Sequence, residues 1–185
     1  MISALRANLV VRAVVIGMYI LAVEWTRALA MRWPGTDAAA LILGGAALTL
    51  VAVGWPAERI GIGTSRLGLR ILGGLALGAV LLLPAAARSG GALLPGGLAL
   101  AAIAVSIGEE VAFRGVLFAA LEQLGGAPVA VVGSTLLWTV AHLLSHPPEF
   151  LGAVAAAGLL LAMWRWACKD LVGPIIGHVI ADLAL

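Results

Sequence analysis

Apolar stretches of membrane length follow one another along this chain, and that pattern leaves few folds open to it. A helix needs about 20 apolar residues to cross a bilayer, and inside lipid its backbone polar groups must be satisfied within the helix itself. Runs at 9–31, 38–55, 71–87, 93–124, 129–145, 150–166 and 171–183 meet or approach that length. Pro56, Arg88-Ser89-Gly90-Gly91, Gly125-Gly126-Ala127-Pro128 and Pro147-Pro148 punctuate them. The segment 57–70 carries Glu58, Arg59, Arg66 and Arg70, is too polar to span, and reads as a short segment lying on the interface. The fold class expected is therefore all-α: a polytopic transmembrane helical bundle of about seven spanning helices plus that interfacial piece, in a single domain over residues 1–185. Only 11% of the residues are charged, against about 25% in a soluble domain, which makes this an integral membrane protein.

The charges that remain are spread over short loops. Net charge is +2, but bilayer topology accounts for the arginines, so no nucleic-acid partner is expected; the lipid bilayer is the partner. With the N-terminus inside, the inner loops hold Arg6, Arg59, Arg66, Arg70, Arg165 and Lys169, and the outer loops hold Arg27, Arg32 and Arg88. Six against three favours a cytoplasmic N-terminus. Arg12 and Arg27, near the ends of the first helix, are expected to snorkel to the interface, with Trp25 and Trp33 in an interfacial belt. Ala28-Leu29-Ala30 has the form of a cleavage site, but Glu24, Trp25 and Arg27 before it argue for a retained first helix. Gly44-Gly45 and Gly73-Gly74 read as packing points between helices. Cys168, the single cysteine, excludes an internal disulfide and reads as a small apolar residue.

Against this background, Ser106-Ile107-Gly108-Glu109-Glu110-Val111-Ala112-Phe113-Arg114-Gly115 stands out. Ionised groups at bilayer depth cost about 2.5–3.5 kcal/mol each on insertion scales, which marks them as functional. Helical neighbours point about 100° apart, so Glu109 and Glu110 face different ways. Glu110 and Arg114 are at i,i+4 and can pair, which leaves Glu109 without a partner in its own helix. The alternative is that these charges only lock helices together. Gly96-Gly97 and Gly108 are the expected bend points of this long run. On the next helix, Trp138 stands one turn before His142; His146, at i+4, raises a metal reading, but Pro147 puts it at the helix end. His178 and Asp182 share one face of the last helix. Counted at about 1.5 Å per residue, Glu109, His142, His178 and Asp182 fall in one layer.

Glu-Glu-x-x-x-Arg at 109–114, aromatic-x-x-x-His at 138–142 and His-x-x-x-Asp at 178–182, each on its own helix, resemble the CAAX protease and bacteriocin-processing (Abi) family, which includes the type II CAAX prenyl protease. The resemblance covers residues 93–185. It implies an intramembrane endopeptidase of glutamate type, in the bacterial plasma membrane. Glu109 and His142 would activate a water, His178 would stabilise the oxyanion, and Asp182 would orient His178. Glu110, Arg114 and Trp138 would support them, and no cofactor is implied. The same residues offer an alternative, since Glu109, His142 and His178 make a catalytic zinc set. Two positions depart from the family pattern: Trp138 stands where phenylalanine is usual, and Asp182 where asparagine is common. An ionised aspartate accepts but cannot donate to an oxyanion. The expected substrate is a membrane-embedded or membrane-anchored protein, cut near a C-terminal sorting or anchoring tail. A prenylated tail is the alternative. Rival classes are a non-enzymatic immunity or scaffold protein and a small transporter relaying protons through Glu109 and His142; the latter predicts an inverted repeat, which the chain does not display.

Overall fold

A computed structural model describes residues 2–86 and 95–184, and among them every regular element is helical. The helices are α1 (Ile2–Ala30), α2 (Asp37–Leu50), α3 (Leu67–Ala86), α4 (Gly96–Glu110), a π-helical stretch (Val111–Leu117), α5 (Phe118–Ala141), α6 (Leu151–Cys168) and α7 (Val172–Leu183). Among the described residues, three stretches are long and apolar enough to cross a membrane: Asn8–Ala30, Gly96–Leu144 and Pro148–Cys168. Asp37–Leu50, Leu67–Leu83 and Val172–Leu183 are shorter apolar helices. This is an all-helical integral membrane protein. The Arg88-Ser89-Gly90-Gly91 turn lies outside the described residues.

The stretch Gly96–Leu144 folds on itself at the break expected from its glycines. Gly126 has φ 71°, a conformation that favours glycine. The second leg of α5 then returns along the first, and a Cβ on Gly133 would lie 2.9 Å from Leu121. Phe118, Ala130 and Ala162 close the seam between this hairpin and α6.

Small residues set the other contacts, as expected for helices that pack in lipid. α2 lies against α4 at Gly45 and Gly108, where a Cβ on either residue would overlap the facing backbone carbonyl. Gly108 is thus a contact point and not a bend; the irregularity of this helix comes just after it, in the π-helical turns. A Cβ on Gly74 would meet Ile176 at 2.7 Å, so α3 packs closely on α7.

Two helix boundaries differ from expectation, and the segment between Pro56 and α3 takes a definite form. The segment before α3 is a set of turns, largely exposed, pinned at Ile60 and Gly61, which are buried; Leu171 donates its N–H to the Gly61 carbonyl at 3.0 Å. Pro56 and Gly61 (φ 87°) deny it a helix, and the Gly61 carbonyl ties it to the α6–α7 connection. α3 begins at Leu67 instead of at residue 71. Lastly, α5 gives way at Ala141 to a tight turn, His142–Leu144, so His142 caps the helix instead of lying within it.

Candidate active site

The structure gathers the three motifs around one imidazole and one carboxylate. Glu109 closes α4 next to Glu110, and both are buried. Glu109 Oε2 lies 3.8 Å from His178 Nε2 and 4.0 Å from His142 Nε2. Both distances are too long for direct hydrogen bonds. Its other oxygen, Oε1, accepts a hydrogen bond from Arg27 Nη2 at 2.9 Å.

Each histidine is oriented through its second nitrogen. His142 Nδ1 is 2.8 Å from the Trp138 carbonyl, which can only accept. Nδ1 therefore carries the proton, and Nε2 presents its lone pair toward Glu109. His178 Nδ1 donates to Glu110 Oε1 at 3.0 Å. On the other edge of that ring, Asp182 Oδ2 stands 3.4 Å from Nε2. Both nitrogens of His178 thus face carboxylates, and its imidazolium form has an acceptor on each side. Asp182 is itself fixed by the Ser106 hydroxyl, which donates to Oδ2 at 2.7 Å.

Behind this layer lies the expected i,i+4 pair. Arg114 Nη1 donates to Glu110 Oε1 at 2.9 Å, Nη2 donates to the Gly158 carbonyl at 3.2 Å, and the guanidinium carbon sits 4.0 Å from the centre of the Trp138 ring. Trp138 also touches both histidines, with ring centroids 4.3 Å from His142 and 5.2 Å from His178. Its indole N–H donates to the Val154 carbonyl at 3.2 Å. An aromatic body with a satisfied N–H suits this position, since it fills the space between two imidazoles and a cation.

Glu109, His142, His178 and Asp182 line a cavity of about 460 Å³. The rest of its wall is largely apolar, with Leu41, Val80, Leu81 and Leu160 among its residues. His146 lines the same cavity, but its ring stacks on Phe150 at 5.3 Å and does not reach Glu109. Cys168 is exposed at the far end of α6. Among the described residues, no trio of His, Cys, Asp and Glu side chains is disposed to hold a metal ion.

Residues 91–184, half of the chain, match the type II CAAX prenyl endopeptidase Rce1-like family. The chain belongs to that family. It is a membrane peptidase, and the matched segment contains all three motifs. No curated protein and no solved structure matches the chain. The Rce1-like segment begins in the stretch before α4, so α1, α2 and α3 lie outside it.

One expectation about α1 is overturned. Arg27 does not snorkel: it is buried, bound to Glu24 on its own helix and to Glu109 on α4. Glu109, unpaired within its own helix, finds its cation on another. Glu24 and Arg27 are at i,i+3, a spacing that itself signals a pair. Snorkelling of Arg27, with Glu24 serving only as an argument against cleavage, leaves that signal unused. Ser106 is a second partner without a sequence signal of its own: it sits three residues before Glu109 on the helix that faces α7.

Proposed function

We propose that this chain is a metal-free glutamate endopeptidase that cuts a membrane-anchored protein near its C-terminal sorting or anchoring tail. The observation that carries this reading is the position of Glu109 Oε2, 3.8 Å and 4.0 Å from the Nε2 atoms of His178 and His142. Those gaps suit a water molecule bridging the carboxylate and an imidazole. Glu109 Oε2 takes a proton from that water while His142 Nε2 accepts its second hydrogen bond. The resulting hydroxide attacks the scissile carbonyl, and His178 Nε2 donates to the oxyanion. Glu109 then returns the proton to the leaving amine as the C–N bond breaks. Asp182, an acceptor only, aligns His178 and takes no direct part at the oxyanion. Glu110 holds the other edge of His178, with Arg114 and Trp138 behind it.

A polar site in the wall of a mainly apolar cavity suits a substrate that arrives within the bilayer. The family's description supports a second substrate, a prenylated tail, which an apolar wall also accommodates. Cleavage in liposomes of an anchored peptide, with and without a prenyl group, separates the two by product mass.

The metal-free reading has an electrostatic basis. The Arg27 guanidinium is hydrogen-bonded to Glu109 at 2.9 Å and already supplies the cation that a divalent ion would otherwise provide there. Cleavage should survive EDTA and phenanthroline. Loss of activity with either, restored by zinc, would reverse this and assign Glu109, His142 and His178 as ligands.

The chain is further proposed to reside in a bacterial plasma membrane, with seven spans and its N-terminus in the cytoplasm. Removing buried Arg27 and Arg165 from the loop count leaves Arg6, Arg59, Arg66, Arg70 and Lys169 inside against Arg32 and Arg88 outside, five against two. A reporter fused after Arg88 should read as external; a cytoplasmic signal there rejects the orientation.

A further inference from the structure

The family's match begins at residue 91, yet a side chain of α1 touches the proposed base. Arg27 Nη2 has two hydrogens and two carboxylate partners: one is Glu24 Oε2 on its own helix, and the other is Glu109 Oε1 at 2.9 Å. All three residues are buried. The stem of Arg27 passes Gly44 of α2, where a Cβ would lie 2.7 Å from Arg27 Cδ. A glycine there leaves the channel through which the guanidinium reaches α4.

We infer that Arg27, anchored by Glu24, is a positioning residue for peptide hydrolysis that fixes which oxygen of Glu109 acts as the base. The inference rests on the reading of Glu109 as the base. A free carboxylate can rotate and present either oxygen to a water. Here Oε1 is tied to a rigid guanidinium, so Oε2 is the oxygen presented to His142 and His178. Glu24 has a separate task. A guanidinium shared by one carboxylate alone would hold Glu109 firmly in its ionised form and make it a poor proton acceptor. Placing Glu24 on the same nitrogen divides that positive charge between two anions, so Glu109 is oriented without losing all its basicity. The arrangement repeats the logic of a buried acid behind a catalytic histidine, with arginine in the middle position.

The test uses the full-length protein in liposomes and measures kcat and KM separately, with melting temperature as the control for folding. Arg27→Gln should lower kcat about 100-fold with KM within about twofold, the loss that a misplaced catalytic group produces. Arg27→Lys, which keeps the charge but not the planar fork, should recover part of that loss. Should Arg27→Gln fail to fold because Glu24 is left buried and unpaired, the double variant Glu24→Leu, Arg27→Met decides. Replacing a buried pair by apolar residues of similar size tends to preserve stability, and here it still removes the clamp from Glu109. It should fold and show the same kcat loss. Wild-type kcat in either folded variant, or a raised KM with kcat unchanged, overturns the role of Arg27. Glu109→Gln serves as the reference. If it cleaves normally, the base assignment falls and the role of Arg27 with it. If it is inactive beside a fully active Arg27→Gln, only the role of Arg27 falls.

Discussion

Glu109→Gln should fold, accumulate as the wild type does and cleave nothing measurable. The amide is nearly isosteric with the carboxylate. Its oxygen can keep the bond from Arg27 Nη2 that Glu109 Oε1 accepts at 2.9 Å. The amide nitrogen then faces His142 and His178, where it donates and cannot take a proton. General base catalysis is worth about 10²–10⁴ in rate, or about 3–5 kcal/mol of barrier. Losing an acceptor for the attacking water adds to that. The measurement is single-turnover cleavage in liposomes beside a melting curve. Near wild-type cleavage by a folded Glu109→Gln protein would remove Glu109 from the mechanism.

Glu110 should fail differently, and on two counts. Its Oε1 accepts from Arg114 at 2.9 Å and from His178 at 3.0 Å. Glu110→Leu leaves a fully buried guanidinium without its carboxylate. Breaking a buried pair costs about 3–5 kcal/mol in soluble proteins, and less where membrane polar contacts have been measured. Purified yield and melting temperature should therefore fall. Pairing the change with Arg114→Met removes the orphaned charge and should return most of the stability. Activity should stay lost, because His178 Nδ1 no longer has an acceptor and the ring is free to turn. Expression yield, melting temperature and cleavage of the single and double variants separate the two effects. A double variant that recovers stability and cleavage together would reduce Glu110 to a purely structural partner.

Much of this arrangement can be read from spacing. The i,i+4 intervals of Glu110 with Arg114, Trp138 with His142 and His178 with Asp182 each correspond to a contact in the structure. Helical geometry alone produces such contacts, so residue numbers suffice to find them. Glu109 is different, because its partner lies 82 positions earlier. No local periodicity reports a contact between α1 and α4. Arg27 also sits close enough to a helix end for snorkelling to explain it, and a sequence does not distinguish an arginine that reaches outward from one that reaches inward. The tether of the turns before α3 is hidden for a related reason. Leucines and isoleucines among arginines look alike in sequence, yet Ile60 is buried beside the Gly61 carbonyl that accepts from Leu171, while Ile62, Leu67 and Leu69 are exposed. The π-helical turns have no compositional mark: Val111-Ala112-Phe113-Arg114-Gly115-Val116-Leu117 would pass as ordinary helix.

Those turns carry a consequence of their own. A π-turn bonds residue i to i+5 where an α-turn bonds i to i+4, so it holds one residue more than the regular helix needs. The surplus puts the two ends of the helix out of phase, with the carboxylate pair on one side of the offset and the start of α5 on the other. An insertion or a deletion in this stretch would turn the start of α5 by about 100° relative to the carboxylate pair. The stretch from Glu110 to the start of α5 is in this sense set by a count, one residue more than an even spiral would need to join the same two faces.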